Sequence, residues 1–166
     1  MRSFVTVVSA LAIALMAATA ASAQAPAAAP PPMPGVGAPL TLEQAKKIVA
    51  AAEAEAKKNN WAMVIAIVEP NGQLVYLQKA DGTQYGSINV AIDKAVSSAL
   101  FRRPTTAFEA GLKAGNTYLL TLRGANATPG GQPIVMGGKV VGGIGVSGAT
   151  GAQDDQVAKA GLAAAQ

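Results

Sequence analysis

Pro133-Ile134-Val135-Met136-Gly137-Gly138-Lys139-Val140-Val141-Gly142-Gly143-Ile144-Gly145-Val146-Ser147 is the stretch that decides the fold. Two runs of β-branched and apolar residues flank a Gly-Gly pair, the pattern of a β-hairpin. Glycines inside the longer run predict that another element packs closely against that strand. A second hairpin lies upstream. There Trp61 to Val68 and Leu74 to Leu77 flank Asn71-Gly72, a pair suited to the positive φ angles of a tight turn. Strands joined by hairpins rather than by helical crossovers predict an antiparallel sheet.

Helical periodicity surrounds these hairpins. Thr41-Leu42-Glu43-Gln44 has the capping-box form, with a threonine oxygen for one orphan N–H and a glutamine reaching back to another. Leu42, Ala45, Ile48, Val49, Ala52 and Ala56 then recur at helical spacing, supported by the pairs Glu43–Lys47 and Glu53–Lys57, and Asn59-Asn60 ends the helix. Ile88, Ile92, Ala95, Val96, Ala99 and Leu100 mark a second helix, stopped at Arg102-Arg103-Pro104 because a residue before proline is pushed out of the helical region. Thr106-Ala107-Phe108-Glu109 reads as the capping box of a short third helix, Tyr118 to Leu122 as a brief strand or buried turn, and Gly124 to Pro133 as a loop long enough to line a site. Thr150-Gly151-Ala152-Gln153 caps a last helix, with Asp154 and Asp155 in the first turn, where the helix dipole favours negative charge. The fold class is α+β: one antiparallel sheet with helices packed on it, in a single domain spanning residues 40–166.

The segment before that domain has a different composition. Arg2, the apolar run Phe4 to Ala18 and the small residues Ala21-Ser22-Ala23 before Gln24 form an export-signal pattern over residues 1–23, and the run is shorter than the ~20 residues that span a bilayer. Cleavage there predicts a periplasmic or secreted protein with no membrane anchor. Residues 24–39 hold six prolines and no charge, the composition of a disordered, extended tether.

Counting removes whole classes of chemistry. The 166 residues include no cysteine and no histidine, so disulfides, thiolate zinc sites, and Ser-His-Asp and Cys-His catalysis are excluded. The formal charge of +4 is spread along the chain with no Lys or Arg run longer than two, which argues against nucleic acid as a partner. Gly143-Ile144-Gly145-Val146-Ser147-Gly148 matches G-x-G-x-x-G, but only 18 residues follow Gly148, leaving no second parallel strand and no acidic residue at the required distance. Asp154 and Asp155 point about 100° apart on a helix and do not share a proton well, so capping and dipole stabilisation are the simpler account. Arg102 and Arg103 can hold a carboxylate or phosphate through forked donors, or merely complement a helix C-terminus; Arg102 is the better functional candidate. No catalytic residue and no metal ligand is assigned. Without histidine or cysteine, an iron porphyrin would need a tyrosine or methionine ligand from Met63, Tyr76, Tyr85, Tyr118 or Met136, of which Tyr118 and Met136 lie nearer the long loop.

Several segments together resemble the GlcG/HbpS-like family, which includes haem-binding HbpS-type proteins and the C-terminal domain of PduO-type proteins. They are Leu40 to Ala45, Asn71 to Val75, Ala99 to Thr105, Gly130 to Ile134, Gly138 to Gly148 and Gln153 to Gln156, and the resemblance extends from Thr41 to Ala165. It implies a profilin-like α+β fold, assembly into dimers or larger homo-oligomers and, in some members, binding of haem or a related tetrapyrrole. Where the family relies on histidine this chain departs from it: tyrosine, methionine or another oxygen must substitute, or haem is held by apolar contacts with Arg102 on a propionate. The ligand-binding candidates are Arg102, Thr105, Phe108, Tyr118, Gly130, Gly131 and Met136.

Three functions follow as expectations. The first is an exported, non-catalytic protein that binds a small molecule, haem or another tetrapyrrole. The second is an enzyme or metabolic accessory for a small carboxylate, with Arg102 as anchor and Asp154 or Glu109 as acid/base groups. The third is a structural oligomer joined through the glycine-rich strands and the Asp154–Asp155 helix.

Overall fold

The computed structural model describes residues 32–165, so the expected export signal of residues 1–23 and the first part of the expected tether lie outside the described residues. In chain order the elements are β1 (Gly35–Val36), α1 (Leu42–Lys58), β2 (Val64–Val68), β3 (Leu74–Lys79), α2 (Ser87–Phe101), α3 (Thr106–Lys113), a 3-10 turn (Thr117–Thr121), β4 (Gly131–Met136), β5 (Lys139–Ser147) and α4 (Gly151–Ala163). Both hairpins form as the sequence predicts: β2 pairs antiparallel with β3, and β4 with β5. They join through an antiparallel β2–β5 pairing in which Ala66 faces Gly145 and Ile67 faces Ile144.

The central strand β2 is buried on both sides, as its unbroken apolar run Val64-Ile65-Ala66-Ile67-Val68 requires. Alternation divides it between two cores. Ile65 and Ile67 join Ile144, Val146, Ile134 and the α1 and α4 residues Ile48, Val49, Ala52 and Val157 on one face. Val64, Ala66 and Val68 join Ala91, Ala95 and Ala99 of α2 on the other. The sheet is thus sandwiched between α1 with α4 and α2.

The α2 face differs from the sequence expectation. Its buried side is made of small residues, Ser87, Ala91, Ala95, Ser97, Ser98 and Ala99, together with Lys94. Ile88, Ile92 and Val96 flank this contact half-buried, and Leu100 is exposed. The cause lies in β5. A Cβ added at Gly145 would collide with the Ala91 carbonyl oxygen, and one at Gly143 would lie 2.8 Å from Ser98 Oγ. The glycines therefore let the helix backbone touch the strand, so only small side chains fit between them. This also explains the G-x-G-x-x-G match, whose glycines are packing positions.

Both predicted boxes at the first and last helices form. Thr41 Oγ1 accepts from Gln44 N at 3.2 Å while Thr41 N donates to Gln44 Oε1 at 2.8 Å, and Thr150 and Gln153 repeat the arrangement on α4. Thr41→Ala should cost about 1 kcal/mol, a few degrees of melting temperature by thermal unfolding. On α1 the Glu53–Lys57 pair forms at 2.8 Å, but Glu43 pairs with Lys46 rather than Lys47; such exposed pairs add only tenths of a kcal/mol.

Three further expectations are corrected. The third box does not form: Thr105, in helical conformation, precedes α3 without a side-chain cap, and Glu109 pairs with Lys113 at 2.6 Å. Tyr118 to Leu122 is neither strand nor buried; it is a 3-10 turn and its continuation, with Tyr118, Leu120 and Leu122 exposed. The tether is not disordered to Pro39, because Gly35–Val36 adds as β1, parallel to the start of β5, beyond the end of β2. Gly37 N and Leu40 N continue the contact, donating to Val140 O and Val141 O at 2.8 and 3.1 Å, and Leu40 is buried. The otherwise open edge of β5 supplies those acceptors.

Candidate functional site

The close approach of α2 to β5 carries Lys94 inside the protein, against the first turn of α4. Its Nζ donates to Asp154 Oδ2 at 2.7 Å and to the Val146 carbonyl at 2.9 Å. The two side chains are only 2% and 4% exposed, so this ion pair is nearly all buried. Asp154 Oδ1 accepts from Ala149 N at 3.1 Å, which ties the carboxylate to the loop before α4. Burial pushes the Asp154 carboxyl above the ordinary carboxylate range, against the opposing pull of Lys94 and of the Ala149 and Gly148 N–H groups. Gly130 completes the arrangement: at φ +113° it adopts a conformation side chains avoid, and a Cβ there would lie 2.7 Å from Asp154 Cβ and 3.1 Å from Lys94 Nζ.

A cavity of about 340 Å³ opens over the pair, walled by Gln84, Thr128, Ser147, Ala149 and Gly151. Ser147 Oγ donates to Ser87 Oγ at 3.2 Å beneath it. Asp155 points elsewhere, accepting from Gln132 Nε2 at 2.6 Å and pairing with Lys159 at 2.7 Å. The divergence of the two aspartates is as the helix geometry predicts, but capping belongs to Thr150, and Asp154 instead makes the buried ion pair.

The residues singled out from the sequence do not form one site. Thr105 and Gly131 come together: Gly131 N donates to Thr105 Oγ1 at 3.0 Å and Thr105 N to Gly131 O at 3.0 Å, a buried tie between α3 and β4. Gly130 adjoins the Lys94–Asp154 pair. Arg102 takes a left-handed conformation (φ +52°) at the end of α2, and its Nη1 donates to Pro34 O at 3.0 Å. Arg103 lies over the Phe108 ring at 5.7 Å, and Phe108 is buried edge-on against Phe101. Tyr118 is exposed on the 3-10 turn. Met136 lies at the far end of the β4–β5 hairpin, where Gln44 Nε2 contacts its sulfur at 3.7 Å above a separate cavity of about 240 Å³. Met63 is core, Tyr76 half-buried, and Tyr85 exposed with Lys79 Nζ 5.6 Å from its ring centre. Of the two acid/base candidates, Glu109 pairs with Lys113 on the α3 surface and Asp154 with Lys94 inside the protein.

Lys94 was not apparent among the sequence candidates. Its signal is a charge inside the small-residue face Ala91, Ala95, Ser98, three residues after one alanine and one before the next. A lysine there either snorkels or finds a buried partner.

The fold and this site define a class: a small α+β domain with helices on both faces of a mainly antiparallel sheet and an ion pair buried where α2, β5 and α4 meet. The family described as haem degrading protein HbpS-like matches residues 40–163, and the chain belongs to it. It is 40% identical to protein GlcG of Escherichia coli K12 over 108 residues, 65% of this chain and 81% of that protein. Over 129 residues it is 32% identical to an uncharacterized 15.0 kDa protein from the dhaT-dhaS intergenic region of Citrobacter freundii, covering 75% of this chain and 91% of that protein. The crystal structure of a double mutant of Streptomyces reticuli HbpS is 35% identical, superposes with a TM-score of 0.71 and covers 83% of this chain and 97% of that one. The family and fold expected from the sequence are thus both found.

Proposed function

We propose that this is an exported protein that binds haem or a related tetrapyrrole and works as a homo-oligomer. The supporting observation is the match over residues 40–163 to the family described as haem degrading protein HbpS-like. Export is supported by the signal pattern of residues 1–23.

The donor set restricts how a haem is held. With no histidine or cysteine in the chain, the phenol oxygens of Tyr118 and Tyr85 are the exposed tyrosine donors among the described residues, Tyr76 being half-buried in the core. Tyr118 fits better, because exposed Leu120 in the same turn and Leu122 just after it supply apolar surface for a macrocycle. Arg123 comes next in sequence, a cation suited to a propionate. Arg102, already donating to Pro34 O, is less available than the sequence suggested.

Haem titration of the purified protein, followed in the Soret region against free haem, should give a saturable, shifted band. Tyr118→Phe should weaken binding and move the band, while Tyr85→Phe should leave both unchanged. A titration indistinguishable from buffer would remove the reading.

A further inference from the structure

We infer that the cavity over Lys94 and Asp154 is a binding site for the carboxylate of a small organic acid, with Lys94 as the group that grips it. The first argument is an inventory of donors. A lysine ammonium carries three N–H groups and accepts nothing. Lys94 spends two of them, on Val146 O and Asp154 Oδ2, although its side chain is only 2% exposed. Each Asp154 oxygen already accepts one N–H, from Lys94 and from Ala149; it can accept more, but it offers an entering group no donor. The donor left over at the cavity floor is the third ammonium N–H of Lys94, which calls for an oxygen acceptor, and an anionic oxygen makes the shorter and stronger bond.

The second argument concerns where the pair sits. A sealed ion pair adds little to stability compared with apolar residues of similar volume. This pair is not sealed, since both residues line a cavity of about 340 Å³ together with the polar side chains of Gln84, Thr128 and Ser147. At ~30 Å³ per water molecule, the space suits an acid of a few carbons or a single carboxylate arm of something larger. The carboxylate can belong to a free small acid or to a tetrapyrrole propionate, and the site stands whether or not the protein binds haem.

The test uses propionate, with propionamide as its uncharged counterpart, titrated into isotope-labelled protein while the amide resonances of Ala149 and Gly151 are followed. Propionate should shift both saturably and bind roughly tenfold or more tightly than propionamide. Lys94→Met should abolish the response. Because that change leaves Asp154 buried without its partner, the double variant K94M/D154L, which buries no lone charge, carries the same test if the single variant does not fold. Haem and haem dimethyl ester then distinguish the sources. Competition by haem but not by the ester assigns the site to a propionate arm; competition by neither assigns it to a free acid. No saturable shift with propionate, equal binding of propionamide, or an unchanged response in the double variant would overturn the proposal.

Discussion

Gly145→Ala should strongly destabilise the protein, although it adds a single methyl group. The methyl carbon would collide with the Ala91 carbonyl oxygen and lie 2.5 Å from Ala95 N, both backbone atoms of a helix that cannot yield as a flexible side chain would. Relief requires α2 to move away from β5. That movement would open the packing of Ala91, Ala95 and Ala99 on Val64, Ala66 and Val68, and would draw Lys94 from Asp154. Overpacking a well-filled core ordinarily costs about 1–3 kcal/mol, and the rigidity of both partners here places the expectation at the upper end, near 3 kcal/mol or roughly 10 °C in melting temperature. Gly35→Ala, at a described glycine whose added Cβ meets nothing within 4 Å, is the control and should change melting little. Comparable melting of the two variants would show that the α2–β5 contact is looser than this geometry.

The same contact explains which parts of the structure could be read in the sequence. Hairpins were legible because Asn71-Gly72 and Gly137-Gly138 encode their turns locally, and α1 and α4 because Thr41 with Gln44 and Thr150 with Gln153 are local capping pairs. The glycines of β5 were legible as close-packing positions, but not which element they admitted. Only when α2 is placed on them does its buried face become the small-residue side, leaving Ile88, Ile92 and Val96 at the flanks. Lys94 was illegible for a related reason. Its partner is sixty positions away, and the local pattern around Asp154 was already accounted for by the helix dipole. β1 was hidden by composition, since Ala/Pro/Gly-rich segments read as disordered until a neighbouring strand offers its unpaired edge. The tyrosine and arginine candidates were legible only as residue types, and chain proximity to the long loop did not bring Tyr118 and Met136 together.

Lys94→Ala and Asp154→Ala should each destabilise the protein by about 3–5 kcal/mol, because each leaves one charge buried without a counter-charge. In thermal unfolding that is a fall of roughly 15 °C. The double variant K94M/D154L should recover most of the loss, since apolar side chains of similar length fill the space without a desolvated charge. The pH dependence separates this cause from simple loss of packing. Burial already holds the Asp154 carboxyl above its unfolded value, and removing Lys94 removes the strongest opposing pull, so its folded pKa rises further. A folded-state pKa above the unfolded one gives stability that is full below the unfolded value and is lost as pH rises through the folded value. The deficit of Lys94→Ala should therefore shrink as pH falls toward 4, because the stranded carboxyl takes up a proton, whereas a packing defect would be insensitive to pH. A deficit that stays constant between pH 7 and 4, or a double variant no more stable than the singles, would show that the pair does not bear the cost assigned to it. If the double variant does match the parent in stability, the Lys94–Asp154 pair is dispensable for folding. Gly130 at φ +113° and the close α2–β5 contact then hold in place two charges whose remaining use is toward whatever enters the cavity above them.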